Sequence, residues 1–407
     1  MDNPDIVVLG GGIAGGSFAL VMARAGFSVM MLEVTKAHRD VVRGEAMTPW
    51  GVAEAQRIGT YDIFMRSGGH HPARFTVYDE DVDPAEAEAH ALDLNALPFP
   101  PLLCLGHPTM CNALDDAAVA AGVRFLRGVR HTRVTPGSPP SVSFELEGTP
   151  FELRPRLVVG ADGRHGQTRR QIGVPEQADP LHHWMAGVLV EDAHGWPAGE
   201  TFLGVEGWRN YIAFPQGDGR IRLYLCFAVE DRQRLMGAEG PAAFMDAFRL
   251  KSVPGSDAIA AARPASEIFG YPNNDVWADE PYAEGVVLIG DAAGYTDPII
   301  GQGLAMSQRD VRLVSEILTS GEDWSPDALR PYGEERSERA RRMRNIGRFA
   351  AVRDSEFTPE ARERRKRVAA RIQRRPELMA SVQAPFVGPD ILPPQAYEME
   401  TISALLA

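Results

Sequence analysis

Gly10, Gly12 and Gly15 stand in the spacing G-x-G-x-x-G, after an apolar run and at the start of a helical pattern. Each glycine has its own physical task. Gly10 permits a tight turn, Gly12 lets backbone N–H groups reach a pyrophosphate, and Gly15 lets the helix lie close to the sheet. The anion would rest on the positive end of the helix dipole, with Ile13 and Ala14 as further contacts in the same turn. Glu33 ends the next apolar run, eighteen residues past Gly15. A carboxylate there accepts hydrogen bonds from a ribose and repels a 2′-phosphate, so the bound dinucleotide is not NADP. A lone glycine motif is weak evidence. Here Ala19, Gly26 and Val29 also fall where a βαβ unit needs them. The motif by itself does not choose between FAD and NAD.

The elements that must hold these groups are legible from the apolar runs. Residues 5–9, 157–159 and 286–289 are short apolar runs that end at Gly10, Gly160 and Gly290. Buried parallel strands end this way at the ligand-binding edge of an open α/β sheet. Residues 74–78 and 201–229 alternate instead, as in Ile221-Arg222-Leu223-Tyr224-Leu225, which predicts antiparallel strands with one packed face. Ser325-Pro326 and Thr358-Pro359 open helices with a cap residue followed by proline. The second helix should stop before Pro376. Its arginines (Arg362, Arg364, Arg365, Arg367, Arg371) read as a solvated face partly paired with Glu360 and Glu363. Pro385 to Pro394 reads as a surface arm.

With 407 residues, two packed domains are expected. The net charge of −13 argues against a nucleic-acid partner. Cys104, Cys111 and Cys226 lack metal-ligand spacing and read as buried free thiols in a reducing compartment; no metal site is expected. No stretch has the length of a membrane span, and the N-terminal flank is acidic, so a cytoplasmic protein is expected, as a monomer or homodimer with a small-molecule substrate.

The other two strand ends point to flavin. The run from Val158 to Arg169 resembles the DG fingerprint of the class A flavoprotein monooxygenases, the para-hydroxybenzoate-hydroxylase-like family: Asp-Gly, two residues, Ser, two residues, Arg. Asp162, Gly163 and Arg169 match, and Gly166 replaces the serine. Gly290-Asp291, six residues, then Pro298 is similar to the family's second flavin fingerprint and runs on into Gly301-Gln302-Gly303-Leu304. Arg43-Gly44-Glu45 resembles the arginine segment placed beside the cofactor. Two positions depart from the family. Gly294 stands where a histidine or bulkier residue is usual, and His107 stands where an arginine usually opens a helix. His107 either replaces that arginine near the ribityl chain or is a buried histidine satisfied by backbone.

The resemblance spans residues 5 to about 315. It implies an α/β fold: a FAD-binding Rossmann-like domain (1–70, 101–178 and 280–322), an inserted, mostly antiparallel β-sheet substrate domain (71–100 and 179–279), and a C-terminal helical segment with a proline-rich arm (323–407). Non-covalent FAD would lie between the domains, with Asp291 on a ribitol hydroxyl and the backbone around Gly301, Gly303 and Leu304 at the flavin's pyrimidine edge. Pro298 would shape the oxygen cavity. NADH or NADPH would dock transiently, and a C4a-hydroperoxyflavin would hydroxylate or epoxidise a small aromatic or phenolic substrate. His71 and Tyr211 are the acid/base candidates, with His70, His182 and His183 beside them, although packing explains each more simply. Trp184, Trp208, Phe214 and Phe227 suit an aromatic pocket and a core equally.

The rival readings are a geranylgeranyl-reductase-type enzyme, a flavin-dependent halogenase and a non-catalytic flavin-binding protein. A halogenase would need Trp-x-Trp-x-Ile-Pro and a lysine before it. The segment Trp208 to Pro215 lacks the second tryptophan, and no lysine lies between Lys36 and Lys251. Arginine does not replace that point charge.

Overall fold

The computed structural model describes residues 2–42, 44–237 and 239–407. The strand β1 (Ile6–Leu9), the helix α1 (Ile13–Arg24) and the strand β2 (Val29–Glu33) form the opening βαβ unit. β1 pairs in parallel with β2 and with Leu157–Gly160, so that Ile6 faces both Val29 and Leu157. The full sheet has six strands: Tyr282–Ala283, Val286–Leu288, Leu157–Gly160, β1, β2 and Arg124–Arg127. The first of these is antiparallel to its neighbour and the remaining pairs are parallel.

The central strands are apolar because both faces are covered. Ile6, Val8, Met31, Leu157 and Val287 enter one core with α1 and the helices His107–Ala120 and Gly303–Ser320. Val7, Met30, Leu32, Val158 and Val286 enter another, beneath a three-stranded antiparallel sheet of residues 130–153. At roughly 25 cal/mol per Å² of buried apolar surface, this double burial is the main force holding the layer together.

A larger sheet carries, in order, Arg263–Pro264, His183–Glu191, Ile221–Phe227, Arg209–Pro215, Glu200–Glu206, Arg74–Asp79 and Leu92–Asp93, with Phe269–Asn273 also paired to His183–Glu191. It is antiparallel except where Arg74–Asp79 runs parallel to Glu200–Glu206. Its period-two pattern sorts the side chains. Ala186, Phe202, Tyr211, Leu223 and Leu225 pack outward against short helices carrying Leu235, Phe244 and Ile259. Met185, Ile212, Tyr224 and Cys226 point inward, and Val42 of the nucleotide-binding layer packs among them.

The C-terminal part is a helical layer of its own, led by the 29-residue helix Pro326–Asp354 and by Pro359–Arg374. Ser325 and Thr358 cap these helices through the amides of Ala328 and Ala361, as their cap-proline starts predict. Two expectations about this region are corrected. The basic face of Pro359–Arg374 is docked rather than solvated: Arg362 pairs with Asp81, and Arg365 with Glu80, on the turn after Arg74–Asp79. Of the arm expected over Pro385–Pro394, residues 385–387 belong instead to the helix Met379–Val387, where Ala384 and Val387 are buried and Phe386 packs edge-on against Phe75 at 5.2 Å between ring centroids, while residues 390–394 lie mostly exposed.

Candidate active site

The three glycine-terminated strand ends are brought together by contacts too close for side chains. A Cβ on Gly15 would lie 1.9 Å from the Gly10 carbonyl oxygen, and one on Gly10 would lie 2.4 Å from that of Ala161. A Cβ on Gly290 would lie 2.8 Å from Cβ of Ala14. At Gly12, Gly301 and Gly303, by contrast, a Cβ would meet nothing within 4 Å. These last three border open space at the starts of α1 and of Gly303–Ser320, and neither helix has a side chain capping its first amides. Two uncapped helix N-termini facing a space suit a pyrophosphate and an electron-rich ring edge.

Glu33 stands at the end of β2, nearly buried. Its Oε2 accepts the Gly11 amide at 2.7 Å, and its Oε1 accepts the amide and hydroxyl of Thr35 at 2.8 and 2.7 Å. Burial pushes its carboxyl up, but these donors and His38 outweigh it and hold the group below the usual range. Glu33 is therefore a fixed anion, available to a ribose through its remaining lone pairs. Beyond it lies a surface cavity of about 490 Å³ bordered by Lys36, Asp115, Phe125 and Arg127.

Asp162 uses Oδ2 to accept the amide and hydroxyl of Thr168, at 3.0 and 2.8 Å. A Cβ on Gly166 would fall 2.2 Å from Cγ of Asp162, so the serine usual in the resembled fingerprint would require the Asp162 carboxylate to move. Arg169 is buried and donates to the Ala292 carbonyl at 3.2 Å, tying this loop to the Gly290-Asp291 turn. Asp291 lies 3.3 Å from Nε of Arg164, whose guanidinium stacks 4.4 Å from the Tyr295 ring centroid. Pro298 opens a single 3₁₀ turn, Pro298–Ile300, capped by Asp297 through the Ile299 amide. Leu304 is buried in the first turn of Gly303–Ser320, close to Gly44.

No local pattern announces what stands behind this loop. Asp310 accepts the Gly290 amide at 2.8 Å, and Arg336 and Arg339 hold its carboxylate at 3.0 and 2.7 Å. Burial alone would push Asp310 up, but the two guanidinium groups bring it below the ordinary range. Arg336 also donates to the carbonyls of Gly290, Ala293 and Gly294. The segment from Gly290 to Gly294, whose two glycines have positive φ, is thus fixed from a helix more than forty residues away. Gln302, fully buried, is held by the Trp50 indole N–H at 2.8 Å and by the carbonyl of Pro385 at 3.1 Å, so the C-terminal layer locks the other helix start.

Opposite these ends lies the inner face of the larger sheet, with Met185, Ile212, Phe214, Tyr224 and Phe269. Arg222 projects from it, almost fully buried. It pairs with Glu45 through Nε and Nη2, and with Asp40 at 2.6 Å, while its Nη1 has no hydrogen-bond partner among the described residues. Glu45 also accepts from Gln216 at 2.9 Å and from the His107 amide at 3.2 Å. Burial pushes Glu45 up despite Arg222, with Asp40 adding to the rise. Between Asp40 and Glu45, Val42 adopts a left-handed φ of 53°, an outlier for a β-branched residue. Arg43 lies outside the described residues. His107 starts its helix, with its ring 3.7 Å from Sγ of Cys111.

The two acid/base candidates, Tyr211 and His71, are both held in structural contacts. Tyr211 belongs to the outward face, where its hydroxyl meets Ser252 at 2.7 Å and burial pushes its pKa up. The alternation of its strand turns it away from the cofactor side. His71 is wedged between the Tyr61 hydroxyl at 3.0 Å and the Leu102 carbonyl at 2.7 Å, so both ring nitrogens are committed to packing. The residues that do reach the inner end of the sheet are His183 and Asp297, 3.6 Å apart beside Pro298.

Fold and site together define a flavoprotein of the class A FAD-dependent monooxygenase type, an oxidoreductase architecture. Residues 3–346 match the FAD binding domain family, and the chain belongs to it. It is 26% identical over 355 residues to the 6-hydroxynicotinate 3-monooxygenase of Bordetella bronchiseptica, covering 84% of this chain and 90% of that protein. It is 27% identical over 349 residues to digeranylgeranylglycerophospholipid reductase 2 of Methanopyrus kandleri, covering 81% of each. The fold is shared with p-nitrophenol 4-monooxygenase PnpA from Pseudomonas putida, with a TM-score of 0.76 and 18% identity, over 96% of this chain and all of that one. Among the described residues, no helix is long and apolar enough to cross a membrane.

Proposed function

We propose that the protein is a monooxygenase that uses NADH or NADPH and O2 to hydroxylate or epoxidise a small aromatic or phenolic substrate. The observation that carries this reading is the pairing of an apolar, aromatic inner sheet face with the uncapped helix start after Pro298. Bound FAD would supply the redox chemistry, accepting hydride and activating O2. Gly12, Glu33, Asp162, Asp291, Gly301 and Gly303 are the residues that would hold it. The chain's own contribution is positional. Ile212, Phe214, Tyr224 and Phe269 pack one flat face of a substrate and exclude water. Arg222 pins Asp40 and Glu45 onto that face.

Bound halide chemistry is disfavoured because Lys36, Lys251 and Lys366 are all exposed. The kinship with a prenyl-lipid reductase keeps reduction without oxygen as the rival, since an apolar face also accepts an isoprenoid chain. Turnover under isotopically labelled O2 decides between them by mass spectrometry. One labelled atom in an organic product is expected. Label in water alone, or product formed without O2, overturns monooxygenation.

A further inference from the structure

We infer that Glu356, His182, His183 and Asp297 form a proton relay running from the protein surface to the turn that carries Pro298. The four side chains stand in line. Oε1 of Glu356 is 3.4 Å from Nε2 of His182, and both side chains are about one-third exposed. Nδ1 of His182 is 3.1 Å from Nδ1 of His183. Nε2 of His183 is 3.6 Å from Oδ1 of Asp297, just outside hydrogen-bond range, so a small rotation closes the gap. His183 has no exposure at all, and its Nε2 has no hydrogen-bond partner among the described residues. A buried polar atom without a partner is costly and rare in a folded protein, which marks the position as more than packing.

The surroundings suit a proton passing inward. Burial, with His182 beside it, holds His183 near 3, so it stays neutral and passes protons without storing charge. Burial lifts Asp297 to about 7, the Ile299 amide opposes this, and the Asp275 carboxylate adds to it. Asp275 is itself lifted to about 7, with Asp179 on one side and Arg344 and Arg348 on the other. The remaining ionisable groups near Asp297 are Arg164, Tyr271 and Cys226, with Asp354 behind Cys226. Cys226 and Tyr271 are held neutral by burial.

The need for such a path rests on the proposed function. The net reaction NAD(P)H + H⁺ + O2 + RH gives NAD(P)⁺ + ROH + H2O, and its proton must enter a site screened from water. In one transfer, His182 gives its Nδ1 proton to Nδ1 of His183, and His183 gives its Nε2 proton to Asp297. His182 is refilled from solvent at Nε2 beside Glu356, and both rings regain their starting tautomers by proton exchange with water between turnovers, one N–H being lost as the other forms.

Histidine-selective nitrogen NMR of the purified protein, from about pH 5 to 9, reads the tautomers directly. His183 should remain neutral with its proton on Nε2; a proton resident on Nδ1, or a titration within this range, overturns the relay. In turnover, His183→Gln and His182→Phe should slow NAD(P)H oxidation by about 100-fold with FAD content unchanged. Added imidazole should restore much of the rate of His182→Phe, whose position reaches solvent, a rescue that a structural role would not give. Rates within about twofold of the parent in both variants overturn the relay while leaving monooxygenation intact. Absence of labelled oxygen in product overturns monooxygenation and leaves the tautomer result to stand by itself.

Discussion

The ligand edge of the six-stranded sheet and the inner face of the larger sheet look into the same space and are built in opposite ways. At the first, side chains are withdrawn: Gly10, Gly15 and Gly290 bring backbone segments together at distances that no Cβ could occupy, while Gly12, Gly301 and Gly303 leave space for a ligand. At the second, side chains fill the view: Ile212, Tyr224 and Phe269 give shape, and Arg222 with Glu45 gives charge. The difference separates two kinds of tolerance. At Gly10, Gly15 and Gly290 the first edge rests on steric exclusion and tolerates no side chain. The inner face rests on side-chain choice, so under the proposed function its specificity would drift without disturbing the glycine cradle.

The sharpest test sets glycine against glycine. Gly15→Ala places a methyl carbon 1.9 Å from the Gly10 carbonyl oxygen and should abolish soluble protein or drop its melting temperature steeply. Gly12→Ala meets nothing within 4 Å in the chain, so its apoprotein should melt like the parent apoprotein while it retains far less FAD and gains less stability from added FAD. Thermal melts combined with flavin absorbance read both. If Gly12→Ala binds FAD normally, the open space there does not belong to the cofactor.

On the opposing face, Arg222→Met leaves Glu45 and Asp40 without their cation in a buried place. Breaking such a pair typically costs about 3–5 kcal/mol. Denaturant titration should show a loss of that size, with much of it recovered when Glu45→Gln is added. A single variant as stable as the parent would show that the ion cluster does not tie the Asp40–Glu45 segment to the sheet.

A third effect is smaller and carries a sign. Asp275 and Asp297 are lifted from 3.8 to about 7 by burial, so between these values the folded protein holds more protons than the unfolded chain. Their stabilising contribution is fully present below about pH 4 and is lost as pH rises through 7. Asp297→Asn should flatten the fall in melting temperature across that window. An unchanged slope would mean that Asp297 is ionised in the fold at neutral pH.

These contrasts also explain what could be read from the residues alone. The three strand ends and their glycines were legible because each task is local: a turn, a close approach or an open helix start lies within a few residues of its motif. The alternation of residues 209–215 is equally plain, but which half of it faces inward depends on what packs outside, so the residues alone do not turn Tyr211 toward the outer core. Arg336, Arg222 and Gln302 act on partners 26 to 252 residues away and of no fixed spacing, so no motif could announce these contacts. The docking of the arginine-rich helix on residues 79–81 was hidden for the same reason.

The smallest expected effect is the most direct check on the two faces. Tyr211 lies on the outer side of its strand while its neighbour Ile212 lies on the inner side. Tyr211→Phe removes one buried hydroxyl that meets Ser252 at 2.7 Å, and Ser252 keeps Glu206 as a second partner at 2.7 Å. The ring stays in its core, so the loss should be about 1 kcal/mol of stability. The pH profile of turnover should not move, because burial holds the hydroxyl neutral and away from the cofactor side. Ile212→Ala, one residue on, should instead raise KM for an aromatic substrate by removing part of the surface it packs on, leaving FAD content unchanged. If Tyr211→Phe shifts the pH profile and Ile212→Ala leaves KM alone, the assignment of faces is inverted and the substrate lies elsewhere.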